Sequence, residues 1–388
     1  MIIKRIYLEG FRNYKAQEIK LEKNINVFYG NNAQGKTNIL EALYFCAFGR
    51  SFRTYKDAEL INFGFENSKI EVEFEKSERE KKIEIFLSKK EKKKIKLNGI
   101  KINKNSELLG NVNLVIFSPD DIIILKESPT SRRKFLDILI SQLRPNYAHL
   151  LGEYNKVLEQ RNAMLKSKKT ETIEIWDEQL ATFAEKIYEY RKEYIEKLQK
   201  NINLISPSLT NEKEKLKINY KTKFKDKTAF LESLKKNLNI DLIKGYTGIG
   251  IHRDDFELFV NDRELNLYGS QGQHRTAILA LKFAEMEIIK EEVNENPILL
   301  LDDITSELDL ERINLIFEKI SGYQVLITCT DANIIRNFDG LTNNVKLYKI
   351  CDGNLEMWIC TFKRCSQVQF FIERDIYVCS YRKWWNIK

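Results

Sequence analysis

The feature that most restricts how this chain can fold is a phosphate-loop sequence near its start. Residues 30–37 read GNNAQGKT and match the pattern G-x-x-x-x-G-K-[ST] at every fixed position. An alternating apolar stretch that predicts strands ends at Gly30, and the run from Ile39 to Cys46 leaves so little polar face that it predicts a buried helix. The loop therefore has the preceding strand and following helix that the pattern requires.

Each fixed position of this loop has a physical task. Gly30 and Gly35 let the backbone curl without Cβ clashes, so that successive N–H groups and the helix N-terminus face phosphates. Lys36 is expected to reach the β- and γ-phosphates of ATP, and the Thr37 hydroxyl is expected to bind Mg²⁺. The predicted ATP-binding residues of the loop are Gly30, Asn31, Asn32, Ala33, Gln34, Gly35, Lys36, Thr37 and Asn38.

A second acidic element completes the expected site. The segment from Pro297 reads PILLLDD, in which four aliphatic residues are followed by Asp302 and Asp303. Such a run suits a parallel strand buried on both faces, with its acids at the carboxyl edge of the sheet. We predict three catalytic residues: Lys36, Asp302 as the Mg²⁺ ligand, and Asp303 as the group that polarises the attacking water. The alternative is that the two aspartates merely cap the next helix, but capping does not require two acids after such a strand.

A small-residue turn lies between these two elements. Ser270, Gln271, Gly272 and Gln273 directly precede an apolar helical run that continues to Ile288. Small residues at a helix N-terminus form a seat for an anion, yet this turn has no phosphate of its own to hold. The alternative is a plain helix capped by Ser270, which needs neither Gly272 nor the two glutamines.

The order of these motifs resembles the ATP-binding-cassette ATPases. A phosphate loop is followed by a signature turn about 30 residues before the acidic strand, and then by a D-loop that contains Ser306 and Asp309. The resemblance implies an α/β ATPase head, two of which sandwich two ATP molecules. In that class each γ-phosphate meets one head's phosphate loop and the other head's signature serine, so Ser270 and Gly272 would act across a dimer interface.

Further segments narrow the resemblance to the RecF family of bacterial DNA replication and repair ATPases. They occur in order from the start of the chain to about Gly353, and they read FRNY from Phe11, FSPDD from Phe117, SRRKFLD from Ser131, QRN from Gln160, HRDD from His252 and LDDITSELD from Leu301. The resemblance implies an ATP-dependent homodimer with slow hydrolysis that binds duplex and gapped DNA. It also implies work with RecR and RecO at single-strand gaps, promotion of RecA loading, and support of replication restart and SOS induction.

The chain departs from the wider cassette pattern at three positions. Transporters carry a glutamate where this chain has Asp303, whose shorter side chain must position water differently, so slow turnover is expected. The strand that usually ends in a γ-phosphate-sensing histidine ends here in Thr330, which can hydrogen-bond but carries no charge. The loop that usually holds a metal-contacting glutamine reads Ser118-Pro119-Asp120.

Arg12, on the loop after the first strand, is a candidate for contact with the nucleotide; the alternative is a surface arginine.

Positive charge is concentrated in one segment. Residues 76–104 hold twelve lysines and arginines against four glutamates, a surplus equal to the +8 of the whole chain. Alternating Ile, Phe and Leu predict a β-hairpin with its lysines in water. The same lysine face can contact phosphates, and the candidate DNA-binding residues are Lys89, Lys92, Lys93 and Lys94.

Periodicity divides the chain into four predicted parts. Residues 1–124 form the N-terminal half of the ATPase head, with a strand-rich lobe. Residues 125–210 have helical spacing and predict an inserted arm of about three helices. Residues 211–353 return to the head with its signature and acidic strand, and residues 354–388 match no RecF pattern. In this last part QVQFFI and DIYVCSY are candidate edge strands, and its cysteines lack a C-x-x-C pair for metal binding.

Composition excludes several classes of protein. No run of eighteen apolar residues occurs, and the first residues lack a signal-peptide core, so a cytoplasmic location without membrane contact is expected. Three scattered histidines without cysteine partners argue against zinc.

Two other functions share the cassette order. A transporter's nucleotide-binding subunit is disfavoured by Asp303 and the basic lobe, and a structural chromosome protein of the SMC type is disfavoured because the arm is too short for long heptad arrays.

Overall fold

The computed structural model describes residues 1–168, 170–210, 213–303, 309–331 and 345–359. The chain divides into two compact units. The first comprises residues 1–44 and 50–100 together with the described residues from Ile298 onward, and the second comprises residues 45–49 and 101–297. No helix of the described residues combines the length and apolar character needed to cross a bilayer.

The first unit contains an antiparallel sheet and a mainly parallel sheet. Its strands are β1 (Ile2–Phe11), β2 (Tyr14–Lys20), β3 (Ile25–Tyr29), β4 (Asn67–Lys76), β5 (Arg79–Ser88), β6 (Lys94–Leu97) and β7 (Ile100–Ile102, whose last two residues are counted with the second unit), followed later in the chain by β12 (Ile298–Asp302), β13 (Val325–Cys329), β14 (Val345–Cys351) and β15 (Asn354–Ile359). Its helices are α1 (Lys36–Phe48), whose last residues belong to the second unit, and α9 (Leu310–Lys319).

The antiparallel sheet has the order β2-β1-β4-β5-β6-β7. Along β5, Ile83, Ile85 and Leu87 are buried and alternate with the less buried Glu84, Phe86 and Ser88. This is the period of two expected for a strand with one face on a core. The hairpin predicted from the basic segment is therefore confirmed as β5–β6, and β4 pairs antiparallel with the other side of β5.

The parallel sheet places the chemistry-bearing strands side by side. β14, β3, β13 and β12 run parallel in that order, and β15 pairs antiparallel with β14 at one edge. All five residues of β12 and of β13 are buried. Because the strands are parallel, Tyr29, Asp302 and Cys329 all end at the same edge of the sheet, and the phosphate loop follows β3 there.

The second unit is largely helical. Its helices are α2 (Ile123–Lys126), α3 (Pro129–Leu143), α4 (Pro145–Ser167), α5 (Ile173–Thr210), α6 (Lys227–Lys244), α7 (Leu265–Tyr268) and α8 (Gln271–Val293), and its strands are β8 (Leu114–Phe117), β9 (Leu216–Lys221), β10 (Asp255–Val260) and β11 (Arg263–Glu264). β9, β10 and β11 form a small antiparallel sheet. Along α5 the buried positions recur every three or four residues, the spacing of an amphipathic helix.

The helix and strand predictions agree closely with these elements. The helical segment predicted within residues 125–210 contains α3, α4 and α5, the strand predicted from Pro297 is β12, and the strand predicted before Thr330 is β13. The four domain boundaries stay a prediction, since the two compact units divide the chain differently. QVQFFI and DIYVCSY lie outside the described residues, whereas β15 forms a strand at the start of the segment that matched no RecF pattern.

Candidate nucleotide site

The phosphate loop joins β3 to α1 in a conformation that excludes most side chains. Gly30 has φ +149° and Gly35 has φ +110°, values that residues with a Cβ rarely adopt. A Cβ at Gly30 would lie 2.4 Å from the carbonyl oxygen of Ile350, and one at Gly35 would lie 2.4 Å from the side-chain nitrogen of Asn13. Both positions therefore require glycine, because an added Cβ would collide with nearby atoms of the protein and because few other residues adopt these dihedral angles.

The Lys36 ammonium lies over the loop that precedes it. Its Nζ donates to the carbonyl oxygens of Gly30 at 2.6 Å and Asn31 at 2.8 Å. These bonds use two of its three N–H donors, so the third is available to an incoming anion. Burial lowers the pKa of Lys36, and the carboxylates of Asp303 and Asp302 oppose that shift. The side chain is thus a buried donor beside two acids, at the place where a phosphate would enter.

Asp302 is the centre of the site's hydrogen bonding. Its Oδ1 accepts from the Thr37 hydroxyl at 2.8 Å and from the Thr328 hydroxyl at 2.7 Å. Thr328 Oγ1 in turn accepts from the backbone N–H of Asp303 at 3.0 Å. Burial raises the pKa of Asp302, and the two hydroxyl bonds reduce that rise because they favour the charged carboxylate. β3, β12 and β13 together thus bring the phosphate loop and the acidic strand into direct contact.

Thr328 was not among the predicted site residues. The sequence directed attention to Thr330, two residues further, as the replacement for a sensing histidine, but Thr330 is exposed. Thr328 is fully buried and lies opposite Asp302 in the parallel register of β12 and β13. The available signal was a hydroxyl within the otherwise apolar strand VLITC, because a buried hydroxyl must find a partner.

The residues present fit a hard divalent cation. Mg²⁺ takes oxygen ligands and is usually held by one or two protein side chains together with water and substrate phosphates. Thr37 and Asp302 supply a hydroxyl and a carboxylate oxygen 2.8 Å apart, and Asp302 forms no ion pair within the described residues. The described part of the chain contains no group of three or more His, Cys, Asp or Glu side chains that could hold a metal. A site completed by substrate phosphates does not need such a group.

Asp303 has an unusual backbone conformation. Its φ is +44°, in the left-handed region that aspartate enters more readily than most residues. The Asp303–Thr328 hydrogen bond holds the backbone at this bend. The chain therefore turns sharply as β12 ends, directly after the residue predicted to hold the metal, and the carboxylate of Asp303 is close enough to raise the pKa of Lys36 against the effect of burial.

Arg12 is engaged behind the loop. Its Nε and Nη2 donate to the two carboxylate oxygens of Glu41 at 2.8 and 2.6 Å, and its Nη1 donates to the carbonyl oxygen of Glu59 at 3.0 Å. Glu41 lies on α1, is fully buried and also accepts from the Ser51 hydroxyl at 2.5 Å. The role that the structure gives Arg12 is to neutralise this buried carboxylate. Its contact with the nucleotide stays a prediction.

Two turns hold the phosphate loop at Gln34. Asn13 Nδ2 and the Gly353 N–H donate to the carbonyl oxygen of Gln34 at 2.6 and 3.3 Å, and the Asp352 N–H donates to its side-chain oxygen at 2.5 Å. Asn38 Nδ2 donates to Asn13 Oδ1 at 2.9 Å. The FRNY segment and the turn after β14 thus brace the loop from outside, a role that the sequence did not indicate for Asn13 or for residues 352–353.

The predicted signature turn is the N-terminus of α8. Ser270 is its N-cap, and Ser270 and Gln273 exchange side-chain to backbone hydrogen bonds at 3.2 and 2.9 Å. This reciprocal arrangement is a capping box, so the capping role held open for Ser270 is present. Ser270 and Gln271 are exposed, and the Ser270 hydroxyl can still donate a hydrogen bond. The contact of this turn with a second copy's nucleotide stays a prediction.

Other predicted segments form hydrogen bonds or ion pairs of their own. In FSPDD, Asp121 Oδ2 accepts from the Ser118 N–H at 2.8 Å, and its Oδ1 lies 3.3 Å from Lys282 Nζ. Lys282 is buried on α8 beside Glu285 as well, and burial raises the pKa of Glu285 to about 7. The FSPDD turn is thus tied to the signature helix by buried charges. In the D-loop, Ser306 lies outside the described residues, and Asp309 caps α9 by accepting from the Arg312 N–H at 3.0 Å.

The HRDD segment is part of a buried ion-pair cluster, but Arg253 is not. Asp255 pairs with Arg132 at 2.6 Å, and Asp254 accepts from the Tyr220 hydroxyl at 2.7 Å. The guanidinium of Arg253 instead lies over the ring of Tyr246, 5.3 Å from the centroid.

The candidate DNA-binding lysines lie on the loop between β5 and β6. Lys89, Lys92 and Lys94 are exposed, and Lys93 is three-quarters buried with its Nζ 3.1 Å from an oxygen of Asp57. Lys94 pairs with Glu91 at 2.5 Å. The loop therefore keeps a positive face toward solvent, with part of its charge balanced locally.

Known proteins resemble this chain over most of its length. The sequence model of the family described as RecF/RecN/SMC N terminal domain matches residues 2–352. A protein of Clostridium tetani named DNA replication and repair protein RecF is 46% identical over 364 residues, which cover 91% of this chain and 99% of that relative. The protein of the same name from Clostridium novyi is 44% identical over 361 residues, which cover 92% and 99%.

Solved structures agree with these relatives. A structure described as the recombination mediator protein RecF-ATP in the RecFOR pathway has a TM-score of 0.84 and 38% identity, and covers 92% of this chain and 98% of that one. The Smc head domain of Pyrococcus furiosus has a TM-score of 0.54 at 19% identity, a likeness of fold alone. The fold is that of an ATP-binding-cassette ATPase head with strand-rich sheets. With this match over nine-tenths of its length, the chain belongs to the RecF family.

Proposed function

We propose that this chain is a DNA-binding ATPase of recombinational gap repair, in which Mg²⁺-dependent ATP binding joins two copies on DNA. The observation that carries the proposal is the direct contact of the phosphate loop with the acidic strand, where the Thr37 hydroxyl meets Asp302 at 2.8 Å and Lys36 lies alongside. The names of the relatives, which include a recombination mediator with ATP, support the assignment.

Each residue of the site has a proposed role in hydrolysis. Lys36 exchanges its carbonyl acceptors for β- and γ-phosphate oxygens, and the loop N–H groups bind the remaining phosphate oxygens. Thr37 and Asp302 hold Mg²⁺, which when bound stabilises the negative charge that develops during phosphoryl transfer. Asp303 orients the attacking water and accepts its proton. Because aspartate is one methylene shorter than the glutamate of transporters, we expect weak turnover.

The second half of the site is proposed to come from a second copy. Ser270 heads a helix of 23 residues, so its exposed hydroxyl and the first N–H groups of α8 present positive potential to an anion. That anion would be the γ-phosphate held by the other copy's Lys36. Duplex and gapped DNA would lie against the basic loop with Lys89, Lys92, Lys93 and Lys94. By membership of the family we propose RecR as a partner, with RecO and RecA acting in the same process and RecA loading at single-strand gaps as the outcome.

Equilibrium sedimentation with and without ATP and Mg²⁺ tests this function. Wild type should shift from monomer to dimer with nucleotide, and DNA should stimulate its hydrolysis. Lys36→Arg should still bind ATP but lose hydrolysis by about 100-fold or more, because arginine lacks the compact ammonium that fits the loop. Ser270→Arg should bind ATP and remain monomeric. Ser128→Arg is the matched control, since Ser128 is an exposed N-cap of another helix without a capping hydrogen bond.

The outcomes separate the parts of the proposal. Normal turnover by Lys36→Arg would refute the assigned ATP site. Dimerisation by Ser270→Arg equal to that of Ser128→Arg would refute the contact in trans. Hydrolysis indifferent to DNA would refute the role in DNA repair.

A further inference from the structure

Two aromatic side chains of the first unit are almost wholly in solvent. The relative exposure of Tyr55 is 94% and that of Phe63 is 104%. Large aromatic rings usually bury most of their surface, and rings kept exposed are typical of binding surfaces. The two residues flank a short 3₁₀ turn, Asp57–Leu60, so they belong to one continuous segment, here called the 55–63 segment.

The backbone of the 55–63 segment is anchored to the sheet. Leu60 is fully buried, and its carbonyl oxygen accepts from the Arg12 N–H at 2.7 Å. Ile61 forms a β-bridge with Phe11, and the Asn62 N–H donates to the carbonyl oxygen of Gly10 at 2.8 Å. The two rings therefore extend from a fixed platform, and an incoming ligand would not have to order this backbone first.

The basic loop lies directly beside this segment. Residues 88–94 contain five lysines and one glutamate. Lys93 Nζ reaches Asp57 Oδ2 of the 55–63 segment at 3.1 Å, and Lys90 Nζ reaches Glu66 Oε2, just beyond it, at 3.3 Å. Lys89 and Lys92 are exposed and form no ion pair in the part of the chain that the structure describes. Exposed rings and uncompensated positive charge thus lie in two segments of the lobe that contact each other.

We propose that Tyr55 and Phe63 stack on unpaired bases of DNA whose phosphates lie against the basic loop. Lysines recognise phosphates without regard to base pairing, whereas a protein ring can stack only on a base that has left its duplex neighbours. A surface with both therefore binds nucleic acid with exposed bases more tightly than an intact duplex of equal charge. An acidic protein would satisfy the lysines but would leave the two ring faces without a planar partner. This proposal rests on the proposed DNA-binding function and specifies the form of DNA that the lobe prefers.

Two DNA probes of equal length and phosphate number test the proposal. One is a fully paired duplex, and the other carries a central run of mismatched bases with one 2-aminopurine among them. Wild type should bind the mismatched probe more tightly, and stacking should quench the 2-aminopurine. Phe63→Leu and Tyr55→Ala should each weaken binding of the mismatched probe by about 5- to 100-fold per lost stack and reduce the quench. Affinity for the paired duplex and the salt dependence of binding should not change.

Two controls make the result specific to aromatic stacking. Phe63→Trp keeps a ring and should retain the preference that Phe63→Leu loses. Tyr246→Ala removes an exposed ring of the second unit and should behave as wild type. Replacing Lys92, Lys93 and Lys94 by glutamine should weaken the binding of both probes. It should also reduce the slope of log affinity against log salt concentration by up to about three.

The failure of this inference differs from the failure of the proposed function. If both aromatic variants keep the preference and the quench of wild type while the lysine variant lowers the salt slope, the rings do not stack on bases and the inference is overturned. If wild type binds neither probe, the DNA-binding function itself is refuted, and the inference with it.

Discussion

Thr328→Val should destabilise the protein in a manner that depends on pH. Valine has nearly the shape of threonine, so the substitution leaves no cavity and removes only the hydroxyl. That hydroxyl donates to the Asp302 carboxylate at 2.7 Å and accepts from the Asp303 N–H at 3.0 Å. A hydrogen bond to a charged group contributes about 1.5–3 kcal/mol, and an ordinary hydrogen bond contributes about 0.5–1.5 kcal/mol. We expect a loss of about 3 kcal/mol in the free energy of unfolding near neutral pH.

The pH dependence follows from the carboxylate. Burial raises the pKa of Asp302 above its ordinary value, and the Thr328 hydroxyl reduces that rise. Removing the hydroxyl raises the folded-state pKa further. A carboxyl whose folded-state pKa is raised contributes fully to stability below its unfolded pKa, and this contribution is lost as pH rises through the folded pKa. The deficit of Thr328→Val should therefore be larger at pH 7.5 than near pH 4, because protonation of Asp302 removes the charge to which the hydroxyl donates.

Urea unfolding at several pH values measures this effect, with Thr328→Ser as the matched control. Serine keeps the hydroxyl and loses one methyl group, so its cost should be about 1 kcal/mol and the same at every pH. A deficit of Thr328→Val that equals that of Thr328→Ser, or that does not change between pH 7.5 and pH 4, would refute the role given to this hydrogen bond.

Three further substitutions test other parts of the structure. Gly35→Ala should abolish ATP binding and should destabilise the protein more than Gly99→Ala does. Gly99 also has a positive φ, but an added Cβ there has no neighbour within 4 Å. Equal unfolding free energies of the two variants would contradict the close approach of Asn13 to Gly35. Arg161→Met should cost about 3–5 kcal/mol, because two buried aspartates lose their partner, whereas the exposed Arg263→Met should cost little when unfolding free energies are compared. Asp303→Asn should stop hydrolysis but keep ATP bound, so the variant should leave gapped DNA more slowly than wild type after a competitor challenge; equal off-rates with hydrolysis abolished would show that turnover is not the release step.

The phosphate loop could be predicted from sequence because its requirements are local. Two glycines, a lysine and a threonine at fixed spacing between a strand and a helix specify the loop without knowledge of distant residues. Asp302 was predictable for a related reason, since four aliphatic residues indicate a buried parallel strand whose carboxyl end must lie at the binding edge. The structure brings Thr37 and Asp302 into contact although 265 positions separate them in the chain.

Thr328 and Gln34 show where local reasoning stops. The role of Thr328 depends on the register between β12 and β13, which places it opposite Asp302, and no single stretch of sequence specifies that pairing. The bracing of Gln34 comes from a turn near the start and another near residue 352, so it depends on β14 and β3 lying side by side. Such contacts are properties of the assembled sheet, and composition and periodicity do not contain them.

Four of the six segments that carry the RecF resemblance, FSPDD, SRRKFLD, QRN and HRDD, lie in the second unit and belong to its scaffold. Arg132 of SRRKFLD forms a bidentate pair with Asp255 of HRDD, at 2.6 and 2.9 Å. Arg161 of QRN is completely buried and binds Asp177 and Asp241 at 2.5 and 2.9 Å. A buried guanidinium needs partners in fixed directions, so each such residue constrains several others and the whole set is specific to one arrangement of helices. The residues proposed for ATP chemistry, in contrast, follow patterns shared by a much wider class. Much of the family resemblance therefore comes from residues that hold the second unit together, whereas the phosphate loop that predicts the chemistry follows a pattern shared beyond the family.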